Sequence, residues 1–251
     1  MPEVGLGTWR YRGGVAPLQR GIDLGATLVD TAENYGSEGV VGEAIRGRRD
    51  SVFVATKVSG EHLRYDEVLH AADASLQRLG IDTIDLYQIH WPDPRVPIAE
   101  TMRALGSLMD AGKVRFVGVS NFSRREVEAA QAALMHHPIV SNQIEYSLLA
   151  RRVESDFDFY QSNHVTVIAY SPLAQGDLIS TSQRQDFKTL RQIAKETGKT
   201  EVQIALSWCL SRPGLIVIPK TDRVERVDEL CGASGWSLSP EYVAALDQVF
   251  R

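Results

Sequence analysis

The chain has 251 residues, 43% of them hydrophobic, and a formal net charge of −5. This length can bury one large core or two modest ones, and we expect a single domain over residues 1–251. The negative charge excludes the broad basic surface that binds nucleic acid or an anionic membrane, but a local positive pocket for a phosphate is compatible with it.

Targeting signals and metal motifs are also missing from the sequence. No apolar run approaches the ~20 residues needed to span a bilayer, and the start Met1-Pro2-Glu3-Val4 lacks the basic-then-apolar order of a secretory signal. Cys209 and Cys231 have no metal-like spacing. We therefore expect a cytoplasmic protein with no metal, no nucleic-acid partner and no membrane partner. A monomer is the default, because no long apolar patch is evident.

Short runs of valine, isoleucine and leucine alternate with amphipathic stretches of helix length. This alternation is typical of a parallel sheet covered by helices. The predicted strands are Val4–Gly7, Thr27–Asp30, Ser51–Lys57, Thr83–Ile89, Val114–Ser120, Ile139–Glu145, Thr166–Tyr170 and Leu215–Pro219. The predicted helices are Ala16–Leu24, Ser37–Arg46, Tyr65–Leu79, Ile98–Ala111, Ser123–Met135, Glu154–Ser162, Asp186–Thr197, Thr200–Ser211, Val224–Cys231 and Pro240–Phe250.

Eight such units in one chain indicate an α/β fold, a closed (β/α)8 TIM barrel, since an open doubly wound sheet usually has fewer strands. Two helices exceed the eight units. The stretch 186–211 holds a pair of helices broken at Gly198, and the helix Pro240–Phe250 follows the last unit. Capping signals support two of the helix starts: Ser123 has a glutamate three residues on, and Thr200 has a glutamine there.

Ionisable residues stand at the ends of three successive predicted strands. Asp30 ends the second strand and is followed by Tyr35 in a polar turn, Lys57 ends the third, and His90 follows the fourth. The carboxyl ends of the strands share one face of such a barrel, where catalytic groups collect. Taken alone, each residue also has a purely structural interpretation, as a helix cap, a loop aromatic, a solvated strand end or a packed histidine.

Seven segments spread over nearly the whole chain occur in this order: VDTAENYGSEGVVGEAI, FVATKV, DLYQIHWP, VGVSNFS, SNQIEYS, AYSPLAQG and IPKTDRVERVDE. Together they resemble the aldo-keto reductase family. The resemblance implies a (β/α)8 barrel with additional helices in the two places noted above. It also implies that Asp30, Tyr35, Lys57 and His90 form the catalytic tetrad of a carbonyl reductase.

These four residues make chemical sense for carbonyl reduction, in which a hydride reaches the carbon and a proton reaches the oxygen. A free tyrosine, with a pKa of about 10, releases its proton poorly near neutral pH. We expect Lys57 to lower the pKa of Tyr35 and Asp30 to keep Lys57 charged in a buried pocket. Tyr35 is then the general acid, and His90 positions the carbonyl.

No glycine-rich dinucleotide fingerprint is present. Gly5-Leu6-Gly7 lacks the third glycine, and Gly36, Gly39 and Gly42 have the spacing GxxGxxG instead of GxGxxG. We expect these last three to allow close helix packing. The nucleotide site is therefore sought in the second half of the barrel.

The resemblance implies an NADPH site there. Ser120, Asn121 and Gln143 would bond a carboxamide, the Tyr170 ring would stack on the nicotinamide, and Ser171 and Leu173 follow on the same loop. Lys220, Thr221 and Arg226 stand before and within a helix start that suits a phosphate, and in the family the matching residues recognise the adenosine 2′-phosphate. Glu229 would face adenine, whereas Leu230 replaces the usual asparagine. Asp222 adds a like charge that weakens the preference for NADPH over NADH.

On the substrate side, Trp9 and Trp91 follow the first and fourth strands and are expected to wall the mouth, beside Tyr35 and His90. The chain begins almost at the first strand and stops after the last helix, without the family's plugging hairpin and C-terminal loop. We therefore expect an open site, with Gln175–Gln185 as the remaining candidate lid. A small aldehyde, a 2-oxoaldehyde, a keto sugar and a ketone all remain possible substrates.

Two other functions remain open. A nicotinamide-binding regulatory or structural protein can share the fold, but such a binder has no need of Lys57 beside Tyr35. A different barrel enzyme without a redox cofactor would place paired carboxylates at strand ends, and Asp30 has no such partner in the sequence.

Overall fold

Eight apolar runs form the eight parallel strands of a barrel in the computed structural model, which describes residues 2–179 and 185–250. The strands are β1 (Leu6–Gly7), β2 (Leu28–Asp30), β3 (Phe53–Val58), β4 (Ile84–Ile89), β5 (Val114–Ser120), β6 (Ile139–Glu145), β7 (Thr166–Tyr170) and β8 (Leu215–Val217). They pair in sequence order, each parallel to the next. The predicted strand order and direction are confirmed.

Hydrogen bonds between the first and last strands close the sheet into a barrel. The Gly5 amide donates to the Val217 carbonyl at 2.8 Å, the Val217 amide donates to Glu3 at 3.0 Å, and the Gly7 amide donates to Pro219 at 2.9 Å. The last strand ends at Val217, two residues earlier than predicted. Pro219 accepts from Gly7 but has no amide hydrogen, so it cannot donate to a neighbouring strand.

Ten α-helices occur in the described residues. They are α1 (Val15–Asp23), α2 (Glu38–Ala44), α3 (Tyr65–Leu79), α4 (Ile98–Asp110), α5 (Arg124–Leu134), α6 (Phe157–Ser162), α7 (Gln185–Thr197), α8 (Glu201–Leu210), α9 (Val224–Cys231) and α10 (Pro240–Val249). The two helices beyond the repeat are confirmed. The helix boundaries agree with the prediction to within two residues except at the start of α6: residues 152–156 form a 3₁₀ turn, so α6 is shorter than the predicted helix over 154–162.

The capping signals act as predicted. The Ser123 hydroxyl accepts from the Glu126 amide and the Glu126 carboxylate accepts from the Ser123 amide, and Thr200 and Gln203 form the same reciprocal pair. Each pair satisfies amide hydrogens that the first helical turn would otherwise leave free.

Two layers of apolar side chains hold the barrel and its helices. Inside the barrel, the buried cluster consists of Leu28, Ala55, Leu86, Ile168, Ile216 and Ile218. A larger core fills the space between strands and helices.

Among the three glycines predicted to allow close packing, Gly42 does so, since a Cβ there would lie 2.2 Å from the Leu79 carbonyl oxygen. Gly39 faces open space, and Gly36 instead supplies a φ of 70° after the Tyr35 turn.

Candidate active site

A fully buried ion pair lies at the carboxyl ends of β2 and β3. Lys57 Nζ donates to both carboxylate oxygens of Asp30, at 2.7 and 2.9 Å, and to the Thr31 carbonyl at 2.9 Å. Burial lowers the pKa of Lys57, and the Asp30 carboxylate acts against this shift. All three ammonium hydrogens are therefore donated to Asp30 and Thr31 at the base of the site.

Tyr35 and His90 stand above this ion pair. The Tyr35 hydroxyl lies 3.2 Å from His90 Nε2, and the two rings meet edge to face with centroids 5.3 Å apart. Lys57 Nζ is 5.0 Å from the centre of the Tyr35 ring. The structure thus brings together four side chains from the ends of three strands.

The charge environment differs from the sequence-based expectation for Tyr35. Burial raises the pKa of Tyr35, and the Asp30 carboxylate and Tyr170 add to the rise. The expected lowering by Lys57 is absent because Asp30 lies beside the ammonium and none of its hydrogens is directed at the phenol. Tyr35 is consequently a fully protonated donor at neutral pH in this state.

His90 is neutral in the same environment. Burial lowers the pKa of His90 to about 4, and the charge of Lys57 contributes. A neutral imidazole carries one N–H donor and one acceptor nitrogen. His90 Nδ1 is buried with no hydrogen-bond partner in the described parts of the chain. The ring is therefore able to orient a polar ligand without adding a positive charge to the pocket.

Side chains predicted to bind a carboxamide form a network beside the tetrad. Gln143 Nε2 donates to Asp30 Oδ2 at 2.7 Å, and the Ser120 hydroxyl donates to the Gln143 carbonyl at 2.9 Å. Asn121 Nδ2 donates to the His90 carbonyl at 3.0 Å, while the Tyr170 hydroxyl donates to Asn121 Oδ1 at 2.9 Å. The predicted nicotinamide end of the site is thus directly bonded to the predicted catalytic residues.

Glu33 anchors the turn that carries Tyr35, and the sequence reasoning did not single it out. Its carboxylate accepts from the Ser59 amide, just beyond β3, and lies 3.1 Å from His62 Nδ1. The 3₁₀ turn over Glu33–Tyr35 is therefore tied to the strand that carries Lys57. The available signal was its position two residues before Tyr35 in the segment DTAENYG.

A cavity of about 650 Å³ opens above the tetrad. The predicted site residues that line it are Trp9, Asp30, Tyr35, His90, Trp91, Ser120, Asn121, Gln143, Tyr170, Ser171, Leu173, Lys220 and Arg226. Lys57 lies beneath this surface, and Thr221 and Glu229 are outside the lining. Trp9 and Trp91 are 42% and 54% exposed, so both rings stand at the mouth and neither is a core residue.

Further lining residues were not predicted, although they follow the same strand-end rule. They are Gly7, Thr8, Arg10, Glu145, Pro172, Ile218 and Pro219. Arg10 comes directly after Trp9, and its guanidinium carbon lies 4.3 Å from the centre of the Trp9 ring. Glu145 ends β6, one strand from Tyr170. A search of every strand end for charged residues would have found both.

Part of the cavity lining is cationic. Lys220 and Arg226 form this part, just before and within the first turn of α9. Lys220 Nζ is also 2.5 Å from Asp222 Oδ2. The Thr221 hydroxyl accepts from the Arg223 amide at 3.2 Å and so shapes the turn into the helix. Leu230 is only 4% exposed, so its side chain belongs to the core and not to a ligand surface.

The candidate lid is described in part. Gln175 and Gly176 line the cavity and have φ angles of 56° and 104°. Residues 180–184 of the predicted lid lie outside the described residues.

Within residues 2–179 and 185–250, no group of three or more histidine, cysteine or acidic side chains could hold a metal ion. In the same ranges, every helix is too short or too polar to cross a membrane.

Comparison with known proteins gives concordant matches. The model of the aldo/keto reductase family matches residues 3–251. Methylglyoxal reductase YeaE of Escherichia coli is 34% identical over 262 residues, which cover 100% of this chain and 91% of that protein. An aldo/keto reductase from Klebsiella pneumoniae, solved in complex with NADP and acetate, is 35% identical, with a TM-score of 0.90 over 100% of this chain and 92% of that one. The thermostable aldo-keto reductase Tm1743, solved with the inhibitor epalrestat, is 39% identical, with a TM-score of 0.92 and coverage of 99% and 95%.

Proposed function

The chain belongs to the aldo/keto reductase family and is an NADP(H)-dependent oxidoreductase, and on this premise we propose that it reduces small carbonyl compounds with Tyr35 as the proton donor. The observation that carries the assignment is the 3.2 Å separation between the Tyr35 hydroxyl and His90 Nε2 on the cavity wall, directly above the Asp30–Lys57 pair. A carbonyl oxygen that sits in the cavity within hydrogen-bond distance of both the Tyr35 hydroxyl and His90 Nε2 would meet two donors.

The cavity suits a long molecule that is flat and uncharged at one end and anionic at the other. Asn121 and Gln143 are hydrogen-bonded to His90 and Asp30, Tyr170 is bonded to Asn121, and Lys220 and Arg226 line the same cavity. We assign Asn121, Gln143 and Tyr170 to the nicotinamide and the two cations to the 2′-phosphate. When bound, NADPH supplies the hydride.

The protein residues handle the proton and orient the substrate. As negative charge develops on the carbonyl oxygen, the oxygen becomes a stronger base than the phenolate, so Tyr35 can donate its proton despite a raised pKa. Lys57 pairs with the Asp30 carboxylate beneath the phenol and so offsets a negative charge that would oppose proton release. His90 fixes the carbonyl oxygen as a neutral donor, and Trp9 and Trp91 offer apolar ring surface at the mouth.

We propose small aldehydes as substrates, with 2-oxoaldehydes as the first class to test. Two observations support this choice: Tyr35 and His90 share the cavity lining with Trp9 and Trp91, and one relative is named a methylglyoxal reductase. A neutral histidine and two indole rings favour uncharged substrates with a short apolar part.

The decisive variant is Tyr35→Phe, which removes only the hydroxyl. Turnover should be lost, measured as NADPH oxidation with a panel of aldehydes and ketones, while NADPH affinity measured by fluorescence titration should stay within about twofold. Tyr242→Phe is a matched control, because that hydroxyl donates to Glu196 on the surface. Carbonyl reduction that survives in Tyr35→Phe would reject the assignment of the acid, and nucleotide binding without any turnover in the wild type would favour a binding protein.

We also propose that the protein functions as a cytoplasmic monomer with one domain over residues 1–251. The large exposed hydrophobic side chains in the described residues come from separate elements, and two of them, Trp9 and Trp91, line the cavity. Light scattering in solution tests the monomer, and a dimer mass would reject it.

A further inference from the structure

Asp222 joins two segments that are far apart in sequence. Its Oδ2 accepts from Lys220 Nζ at 2.5 Å, and its Oδ1 accepts from the backbone amide of Arg12 at 2.8 Å. The contact is close, because a Cβ at Gly13 would lie 2.9 Å from the Asp222 Cα. The loop between β1 and α1 therefore rests on the turn that holds the proposed phosphate-binding lysine.

The two segments contribute different groups to the lining of the cavity. The loop between β1 and α1 carries Trp9 and Arg10, which line the cavity near the proposed substrate position, whereas Lys220 lines its cationic part. One carboxylate therefore forms a physical link between the proposed carbonyl pocket and the proposed phosphate site.

Asp222 is ionised in this position. Burial works to raise its pKa, but the Arg12 amide and Lys220 outweigh that effect and hold the pKa below its ordinary value. A phosphate group that reaches Lys220 would therefore meet a negative charge already paired with the same ammonium.

We propose that Asp222 couples binding of the nucleotide 2′-phosphate to the loop of residues 8–14. The 2′-phosphate competes with Asp222 for Lys220, and the change at Asp222 reaches the loop through its hydrogen bond from the Arg12 amide. This inference rests on the proposed function. NADH, which lacks the 2′-phosphate, leaves the bridge intact. Coupling of this kind is reciprocal, so the position of the loop also biases the choice of nucleotide.

Nucleotide affinity tests the competition. Asp222→Asn removes the charge and keeps the shape. It should tighten NADPH binding about two- to fivefold, the range for a partly exposed charge pair, and change NADH binding less. Asp228→Asn is the matched control, because Asp228 also joins the first and last units of the barrel, through Arg20 on α1, without touching Lys220. Equal changes in NADPH and NADH affinity in Asp222→Asn would overturn the proposal.

Hydrogen exchange of the peptide that covers residues 8–14 tests the transmission. In the wild type, NADPH should change exchange at the Arg12 amide and NADH should not. In Asp222→Ala, which removes both bonds, the amide should exchange faster and respond to neither nucleotide. Identical wild-type exchange with the two nucleotides would overturn the coupling alone, and failure of the wild type to bind either nucleotide would overturn the proposed function with it.

Discussion

The buried pair of Lys57 and Asp30 offers the sharpest test of how the site is held. Lys57→Met keeps most of the side-chain length and removes the charge. Asp30, which is 2% exposed, would lose donors at 2.7 and 2.9 Å and keep the Gln143 amide at 2.7 Å. Removing one partner of a buried ion pair costs about 3–5 kcal/mol, so we expect the free energy of unfolding to fall by about that amount.

Urea unfolding at neutral pH, followed by tryptophan fluorescence, measures the change. Adding Asp30→Asn should recover at least about half of the loss, because a neutral amide needs no counter-charge. Lys113→Met is the control: its pair with Asp73 is half exposed on both sides, and such pairs contribute about 0–1 kcal/mol. If Lys57→Met were no more destabilising than Lys113→Met, or if Asp30→Asn gave no recovery, the description of the pair would be refuted.

Four further variants test the site. The pKa of His90 is about 4 against an ordinary 6.5, so between pH 6.5 and 4 the unfolded chain takes up a proton at His90 and the folded chain does not. The free energy of unfolding should therefore fall by about 2–3 kcal/mol as the pH drops through this range. His90→Gln, unfolded across the same pH range, should lack this part of the loss. Arg226→Ala and Lys220→Met should each raise the Michaelis constant for NADPH roughly ten- to a hundredfold and that for NADH far less. Equal increases in the two Michaelis constants would argue against a 2′-phosphate contact. Glu33→Ala should lower kcat about tenfold without weakening NADPH binding in a fluorescence titration, because the turn that holds Tyr35 is loosened, and unchanged kcat would contradict that role.

Most of the fold was predictable because its signals are local. An apolar run such as Thr166–Tyr170 specifies a buried strand by its own composition, and the Ser123 and Thr200 caps specify helix starts within four residues. The end of the last strand has a local cause too, since Pro219 lacks the amide hydrogen that a continued strand would donate. The number and order of the units then predicted a closed barrel.

The site was predictable in part for the same reason. Strand ends identify Asp30, Lys57 and His90, because the parallel order sends all of them to one face. Contacts between distant segments were not predictable in this way. The Glu33 bond to the Ser59 amide and the Asp222 bond to the Arg12 amide depend on how neighbouring loops meet after the barrel closes.

By itself, therefore, the sequence determined the barrel, the family resemblance and the four residues of the proposed tetrad. Only the tertiary structure decided how their charges combine. Whether Lys57 lowers or fails to lower the pKa of Tyr35 depends on where three ammonium hydrogens point, and all three point to Asp30 and Thr31. Hydrogen-bond direction and burial are properties of the assembled site, since they arise between residues that are brought together only by folding.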